Sequence, residues 1–333
     1  MLCAKTWRGF FRVQKISEEV IILAVIRAFK GRMRRIHSGI NTGGEILRKY
    51  VDRIFARVFH VKTDFYAKTR TKCMRAVLWH EEDRTYHVKD IRFPELNEAD
   101  ERLFFNLVFE DTFCSYYYFG DKYDEATVDY CNEMLDEGLY GLVNDAVNVT
   151  VKPGDIVIDA GAWIGDFSAY ASVKGATCYA FEPTESTFAV LQKTAELNGN
   201  IIPVKKGLSD ENTKRKFFPN VTGNSGGNGF RSSTGNPDSA ETTYQVETVR
   251  LDDFVRENNL PRVDFIKSDI EGFERHMLEG AQETLARFAP KLALCTYHLP
   301  DDPEVMAGLI KKANPKYNIV QKRKKLYASV PQE

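Results

Sequence analysis

The sequence predicts an α/β fold, a mostly parallel sheet covered by helices on both faces, on three observations. Strand-like and helix-like stretches alternate through the carboxyl-terminal part of the 333 residues, the pattern of a doubly wound sheet. The apolar run Ile156, Val157, Ile158 leads from a Pro153-Gly154 turn into a glycine turn at Gly161 and Gly165, as a central strand feeding a helix would. A second apolar strand, residues 177–181, ends in Glu182 and Pro183. The proline closes it because proline cannot donate to a ladder.

In chain order, residues 1–75 come first, as a basic and mainly helical segment. They carry 18 Lys or Arg against 5 Asp or Glu, a balance of +13, whereas the whole chain sums to −1 and the remainder is therefore at −14. Such a split points to an anionic partner: a membrane surface, a nucleic acid, an acidic saccharide or an acidic protein. Ile21, Ile22, Val25 and Ile26 opposite Arg27, Lys30, Arg32, Arg34 and Arg35 fit an interfacial amphipathic helix. They fit equally a basic helix packed on the acidic remainder, within the chain or across a homo-oligomer. The apolar run 20–29 is too short to span a bilayer.

Residues 76–140 read as an accessory α+β region on the substrate side. Strands are expected at 73–79 and 85–93 around an acidic turn, and a helix at 98–110. An aromatic cluster follows at 113–119, then a helix at 124–135 over the ligand side. Residues 141–333 form the principal domain. There the spacing of Phe188, Leu191 and Ala195 predicts a helix over 186–197 that stops at Asn198-Gly199-Asn200. Strands are expected at 201–204 and 244–249, a short helix at 251–257, and central strands at 263–268 and 292–297. One helix, 273–285, joins the last two, and a hairpin of 317–320 and 326–330 closes the sheet. Gly, Asn and Ser crowd residues 219–239, so that stretch reads as a flexible loop, a lid where substrate enters.

The glycine turn also speaks for a ligand. Its spacing, Asp159-x-Gly161-x-x-x-Gly165, differs from the dinucleotide pattern because Asp159 stands where the first glycine belongs. A carboxylate there repels a pyrophosphate, which excludes a nicotinamide dehydrogenase. It suits a cationic ligand bearing an amino acid, and S-adenosylmethionine is such a ligand. Asp159 with the backbone of Gly161, Ala162, Trp163 and Gly165 would place the methionine part, and Glu182 the ribose hydroxyls. Asp210, after the Gly207-Leu208-Ser209 turn, is the candidate near the adenine.

Three further elements follow in order: Lys267-x-Asp269-x-Glu271-Gly272, then Leu278-x-Gly280-Ala281 on a helix, then a strand ending in Tyr297-His298. With the glycine turn and the Phe181-Glu182-Pro183 strand end, these residues resemble the FkbM-type family of S-adenosylmethionine-dependent methyltransferases over roughly residues 140–330. The resemblance implies a Rossmann-like class I methyltransferase fold with a seven-stranded sheet and a carboxyl-terminal antiparallel hairpin. It also implies O-methyl transfer to a hydroxyl of a saccharide, glycolipid or other small molecule. Asp269 and Glu271 leave a strand end facing the reaction centre, Asp269 on the cofactor side as well. There they would contact the acceptor hydroxyl or bind a divalent cation such as magnesium. His298 is the candidate general base, since an ordinary imidazole pKa suits proton removal near neutrality. His276, mid-helix, reads as structural.

Two other classes compete. A nucleic-acid methyltransferase would use the basic segment as its electrostatic grip. Against it, the strand end Ser268-Asp269-Ile270-Glu271-Gly272 lacks the Asn/Asp-Pro-Pro-aromatic motif that holds a flipped base. A non-catalytic scaffold on the same fold is opposed by the intact set Asp159, Gly161, Gly165 and Glu182. The six cysteines, Cys3, Cys73, Cys114, Cys131, Cys178 and Cys295, show no paired spacing, which suggests neither a zinc site nor a disulfide framework. No secretory signal is read, so Asn148-Val149-Thr150 and Asn220-Val221-Thr222 match the glycosylation pattern by chance. The expected location is cytoplasmic, or peripheral on a membrane.

Overall fold

Seven strands form the central sheet of the computed structural model, which describes residues 78–88, 90–104, 140–219, 225–230, 244–322 and 324–331. The basic segment 1–75, the aromatic cluster 113–119, the helix expected at 124–135 and most of the loop 219–239 lie outside the described residues.

The first described elements are a small antiparallel sheet of β1 (Trp79–His80), β2 (Thr85–Val88) and β3 (Ile91–Pro94). The single strand expected over 85–93 is thus two. Buried Tyr86 and Val88 fall on even positions and buried Ile91 and Phe93 on odd ones, so the chain must turn between them to keep one face inward. Helix α1 (Glu98–Leu103) follows, capped by Asn97, whose side chain accepts from the amides of Ala99 and Asp100. Of the helix expected at 98–110, the part beyond Phe104 lies outside the described residues.

Short strands β4 (Leu142–Val143) and β5 (Asn148–Val149) pair with one another. The main sheet begins with β6 (Ile156–Ala160), after which Gly165 opens α2 (Asp166–Val173). Next come β7 (Thr177–Phe181), α3 (Glu185–Asn198) and β8 (Ile201–Val204). Helix α3 starts where Pro183 ends the strand and stops at Gly199, whose φ is +68°. Asn198, at its end, holds β3: its Oδ1 accepts from the Arg92 amide at 2.9 Å and its Nδ2 donates to the Arg92 carbonyl at 2.7 Å.

Residues 207–249 leave the main sheet for a second one. β9 (Gly207–Leu208) pairs parallel with β11 (Tyr244–Val249), which pairs antiparallel with β10 (Thr213–Phe217). Helix α4 (Leu251–Glu257) then returns the chain to β12 (Phe265–Ser268).

The single helix expected at 273–285 is two, α5 (Glu274–Glu279) and α6 (Gln282–Phe288). The break falls at Gly280 and Ala281 for a tertiary reason. A Cβ on Gly280 would lie 2.0 Å from the Ser209 carbonyl oxygen, and the Gly280 carbonyl accepts from the Asp252 amide at 3.0 Å. Close backbone approach and an external partner for the carbonyl interrupt the helical ladder. The chain ends through β13 (Lys291–Cys295), α7 (Asp302–Ala313) and the hairpin β14 (Asn318–Lys322) and β15 (Lys325–Ser329).

The sheet order is β14-β15-β13-β12-β6-β7-β8, parallel except for β15, which runs antiparallel to both neighbours. One face is packed by Leu278, Leu285, Met306 and Ile310 over Ile158, Ile266 and Leu292, all fully buried. The register sets Lys267 on β12 beside Asp159 on β6. No helix among the described residues is long and apolar enough to cross a membrane.

Candidate functional site

Both glycines of the turn after β6 have left-handed backbones, Gly161 at φ +75° and Gly165 at +87°. A Cβ on Gly161 would sit 2.0 Å from the Asp269 carbonyl oxygen, and one on Gly165 2.8 Å from Leu191 Cδ1. The turn therefore rests directly on the end of β12 and on α3. The amides of Gly161 and Ala162 bond to the Phe181 carbonyl at 3.1 and 2.9 Å, which ties the turn to the end of β7.

Beneath it lies a buried ion pair. Lys267 Nζ is 3.0 Å from Asp159 Oδ1 and donates to the Gly161 carbonyl at 2.8 Å, while Ser168 donates to Asp159 Oδ2 at 2.6 Å. Burial alone would lower the lysine's pKa, but the carboxylates of Asp159, Asp269 and Asp166 outweigh it and raise it. Desolvation pushes Asp166, half-buried at the start of α2, up to about 6.

A cleft opens above the strand ends. Gly161, Trp163, Phe181, Glu182 and Pro183 form one side, Asp269, Ile270 and Glu271 the other; Gly207, Leu208, Phe217, Ser225, Asn228 and Phe230 complete it. Glu182 accepts from the Thr184 amide at 2.8 Å, and burial pushes its pKa up to about 7. Trp163 is a non-glycine residue at φ +48°. Its indole donates to Ser225 Oγ at 2.9 Å, and Ser225 donates to Asp100 at 2.5 Å. Phe230 stacks over Phe273 and closes on Gly207.

On the β12 side, Asp269 accepts from the hydroxyls of Tyr297 at 2.8 Å and Tyr140 at 3.2 Å. Glu271 is held at φ +55°, followed by Gly272 at +91°. His298 lies half-buried between carboxylates, its Nε2 3.4 Å from Glu271 and 4.0 Å from Asp269, its Nδ1 3.4 Å from Glu274. Burial works against the charged ring, yet Glu271 and Glu274 prevail and raise its pKa to about 10.

Of the residues expected at a site, Gly161, Trp163, Glu182, Asp269 and Glu271 line the cleft, and His298 stands behind Glu271. Asp159, Ala162 and Gly165 are buried or turned behind the cleft wall, with Asp159 paired to Lys267. Asp210 does not line it: it accepts from Arg215 and Ser209 at 2.8 Å and lies 3.4 Å from His276, which stacks on Phe273. Sequence reasoning gave no role to Lys267, Glu274, Tyr140 or Phe230. A lysine inside an otherwise apolar strand was the available signal, since a buried ammonium requires a partner.

The chain matches the Methyltransferase FkbM domain over residues 159–316. It is 27% identical over 160 residues to the hexuronic acid methyltransferase AglP of Haloferax volcanii, covering 48% of this chain and 62% of that protein. It is 30% identical over 163 residues to the 31-O-demethyl-FK506 methyltransferase FkbM of Streptomyces tacrolimicus, covering 40% and 62%. The match therefore spans less than two thirds of these relatives' length. A solved structure, methyltransferase FkbM from Methylobacillus flagellatus, aligns with a TM-score of 0.41 at 19% identity, over 70% of this chain and 55% of that one. Residues 159–316, which carry the glycine turn, the Glu182 strand end and the Asp269–Glu271 turn, are the part of the chain that matches the methyltransferase FkbM domain.

Proposed function

We propose that this chain is an S-adenosylmethionine-dependent O-methyltransferase whose acceptor is a hydroxyl of a saccharide, glycolipid or other small molecule. The observation that carries the reading is the cleft itself: within the residues that match an FkbM domain, the glycine turn and Glu182 line it together with Asp269 and Glu271. The two relatives' names, one specifying a hexuronic acid and the other a 31-O position, support an oxygen acceptor.

In this reading the Gly161–Gly165 turn receives the methionine part and Glu182 the ribose hydroxyls. Asp159 shapes the turn through Lys267. The bound sulfonium supplies an electrophilic methyl group. The acceptor oxygen forms a bond to that carbon, the carbon–sulfur bond breaks with its electrons going to sulfur, and the hydroxyl proton leaves to a base. The proton-accepting group in this reading belongs to the pair His298 and Glu271, whose facing atoms are 3.4 Å apart on the Asp269–Glu271 side of the cleft. A divalent cation held by Asp269 and Glu271 belongs to the same proposal. So do a cytoplasmic or membrane-peripheral location, and an anionic surface, acidic partner or second copy meeting residues 1–75. In the same reading the chain divides into a basic region at 1–75, an accessory region at 76–140 and a principal region at 141–333.

Calorimetric titration with S-adenosylmethionine and S-adenosylhomocysteine tests the reading, with Asp159→Ala and Glu182→Gln as companions. Binding in the micromolar range that both variants weaken supports it and justifies screening uronic-acid glycosides with a labelled methyl donor. A folded wild-type protein that binds neither ligand overturns it.

A further inference from the structure

We propose that Asp269, Glu271 and His298 bind one divalent cation of the manganese type, with Glu274 as the residue that orients the histidine. Its use in methyl transfer rests on the function proposed above; the binding stands on geometry alone.

One ligand atom from each of the three residues lies within 4.8 Å of the others, with Nε2 at 3.4 Å from Glu271 and 4.0 Å from Asp269. Two ligands of one small ion, each about 2.0–2.2 Å from it, stand ~3–4 Å apart. The His298 side chain is 9% exposed, and neither ring nitrogen makes a hydrogen bond. The ring nitrogens meet carboxylates at 3.4 to 4.0 Å without hydrogen-bonding to any of them, and an ion on Nε2 would join that nitrogen to Asp269 and Glu271.

The other side of the ring is built to match. Nδ1 faces Glu274 at 3.4 Å; that carboxylate is 1% exposed and fixed by the Ile270 amide at 2.9 Å. A buried carboxylate behind an imidazole fixes its tautomer and aims the opposite nitrogen, as around ligating histidines generally.

One cation and two hydroxyls bear on the site from outside the three ligands. Lys267, which would repel a cation, is occupied by Asp159 at 3.0 Å; the Tyr297 and Tyr140 hydroxyls on Asp269 hold that carboxylate in place. Two carboxylates suit either Mn²⁺ or Mg²⁺, but the imidazole nitrogen favours the transition ion, because Mg²⁺ prefers an all-oxygen shell. The cluster of Asp210, His276 and Glu279 differs in that Arg215 already neutralises Asp210 at 2.8 Å.

The test uses the full chain, stripped with a chelator and titrated with Mn²⁺ by electron paramagnetic resonance, with S-adenosylhomocysteine calorimetry in parallel. We expect one Mn²⁺ per chain, with a nitrogen coupling in the pulsed spectrum that His298→Gln abolishes. Asp269→Asn and Glu274→Gln should each weaken Mn²⁺ about tenfold or more, and Mg²⁺ should compete only at more than about tenfold higher concentration. Circular dichroism identifies any variant that fails to fold, and the wild-type nitrogen coupling then decides. Absence of saturable Mn²⁺ binding, or binding without nitrogen coupling, overturns the metal site. If S-adenosylhomocysteine binds in that case, the methyltransferase reading stands. Mn²⁺ binding with the nitrogen coupling upholds the site even where S-adenosylhomocysteine fails, and only the methyltransferase reading is then lost.

Discussion

The two sides of the cleft are built on opposite principles. Around the glycine turn the charges answer one another: Asp159 on β6 is held by Lys267 of the neighbouring β12 and by Ser168, and the turn carbonyl of Gly161 by the same lysine. On the β12 side Glu271 sits on a strained backbone and His298 has two ring nitrogens without hydrogen bonds, among three carboxylates. A wall that is internally complete can receive a ligand without rearranging, whereas one with unfilled polar capacity is suited to an ion and a reacting hydroxyl. Preorganisation belongs to the first and chemistry to the second.

The sharpest way to break this contrast is to remove the lysine. Lys267→Met leaves Asp159 charged and buried, and should cost about 3–5 kcal/mol in urea unfolding. Adding Asp159→Asn should recover a large part of that loss; no recovery would mean that the pair is not self-contained. Gly161→Ala comes next. Its Cβ must push against the Asp269 carbonyl at a φ of +75°, so about 2–3 kcal/mol of stability and the binding of S-adenosylhomocysteine should both be lost.

On the other wall the effect should be kinetic. His298→Ala should lower turnover about 100-fold while cofactor affinity changes less than about threefold; an unchanged rate would remove His298 from the reaction. The smallest effect is one of pH. Glu182 has its folded pKa raised from 4.5 to about 7. Its favourable contribution to stability is therefore complete below pH 4.5 and lost as pH rises through about 7. Ribose hydroxyls donate to the ionised form, so cofactor affinity should run the other way and fall about tenfold from pH 8 to pH 6. Glu182→Gln should flatten that profile.

The strand, glycine turn and acid-ended second strand were legible because each is local: an apolar run, two glycines in one turn, a proline after an acid. The strand end Asp269–Glu271 and His298 were legible as motifs, and the structure brings them within one ion's reach. What stayed hidden depended on partners far along the chain. Lys267 and Asp159 meet through strand register across 108 positions, which periodicity does not encode. The break at Gly280 comes from Ser209, and the proximity of Asp210 to Arg215 rather than to the cleft follows from residues 207–249 forming their own sheet. The split of 85–93 was readable, since the buried positions change parity between Val88 and Ile91.

The hydrogen bond from Trp163 to Ser225 gives the protein an optical probe of its own. The chain has three tryptophans, and this one sits in the glycine turn with its indole nitrogen fixed to the opposite rim of the cleft. A ligand entering between turn and rim has to keep or replace that bond, and either outcome changes the polarity around the indole. The emission of Trp163, isolated by replacing Trp7 and Trp79 with Phe, therefore reports occupancy of the cleft in real time, with no label attached.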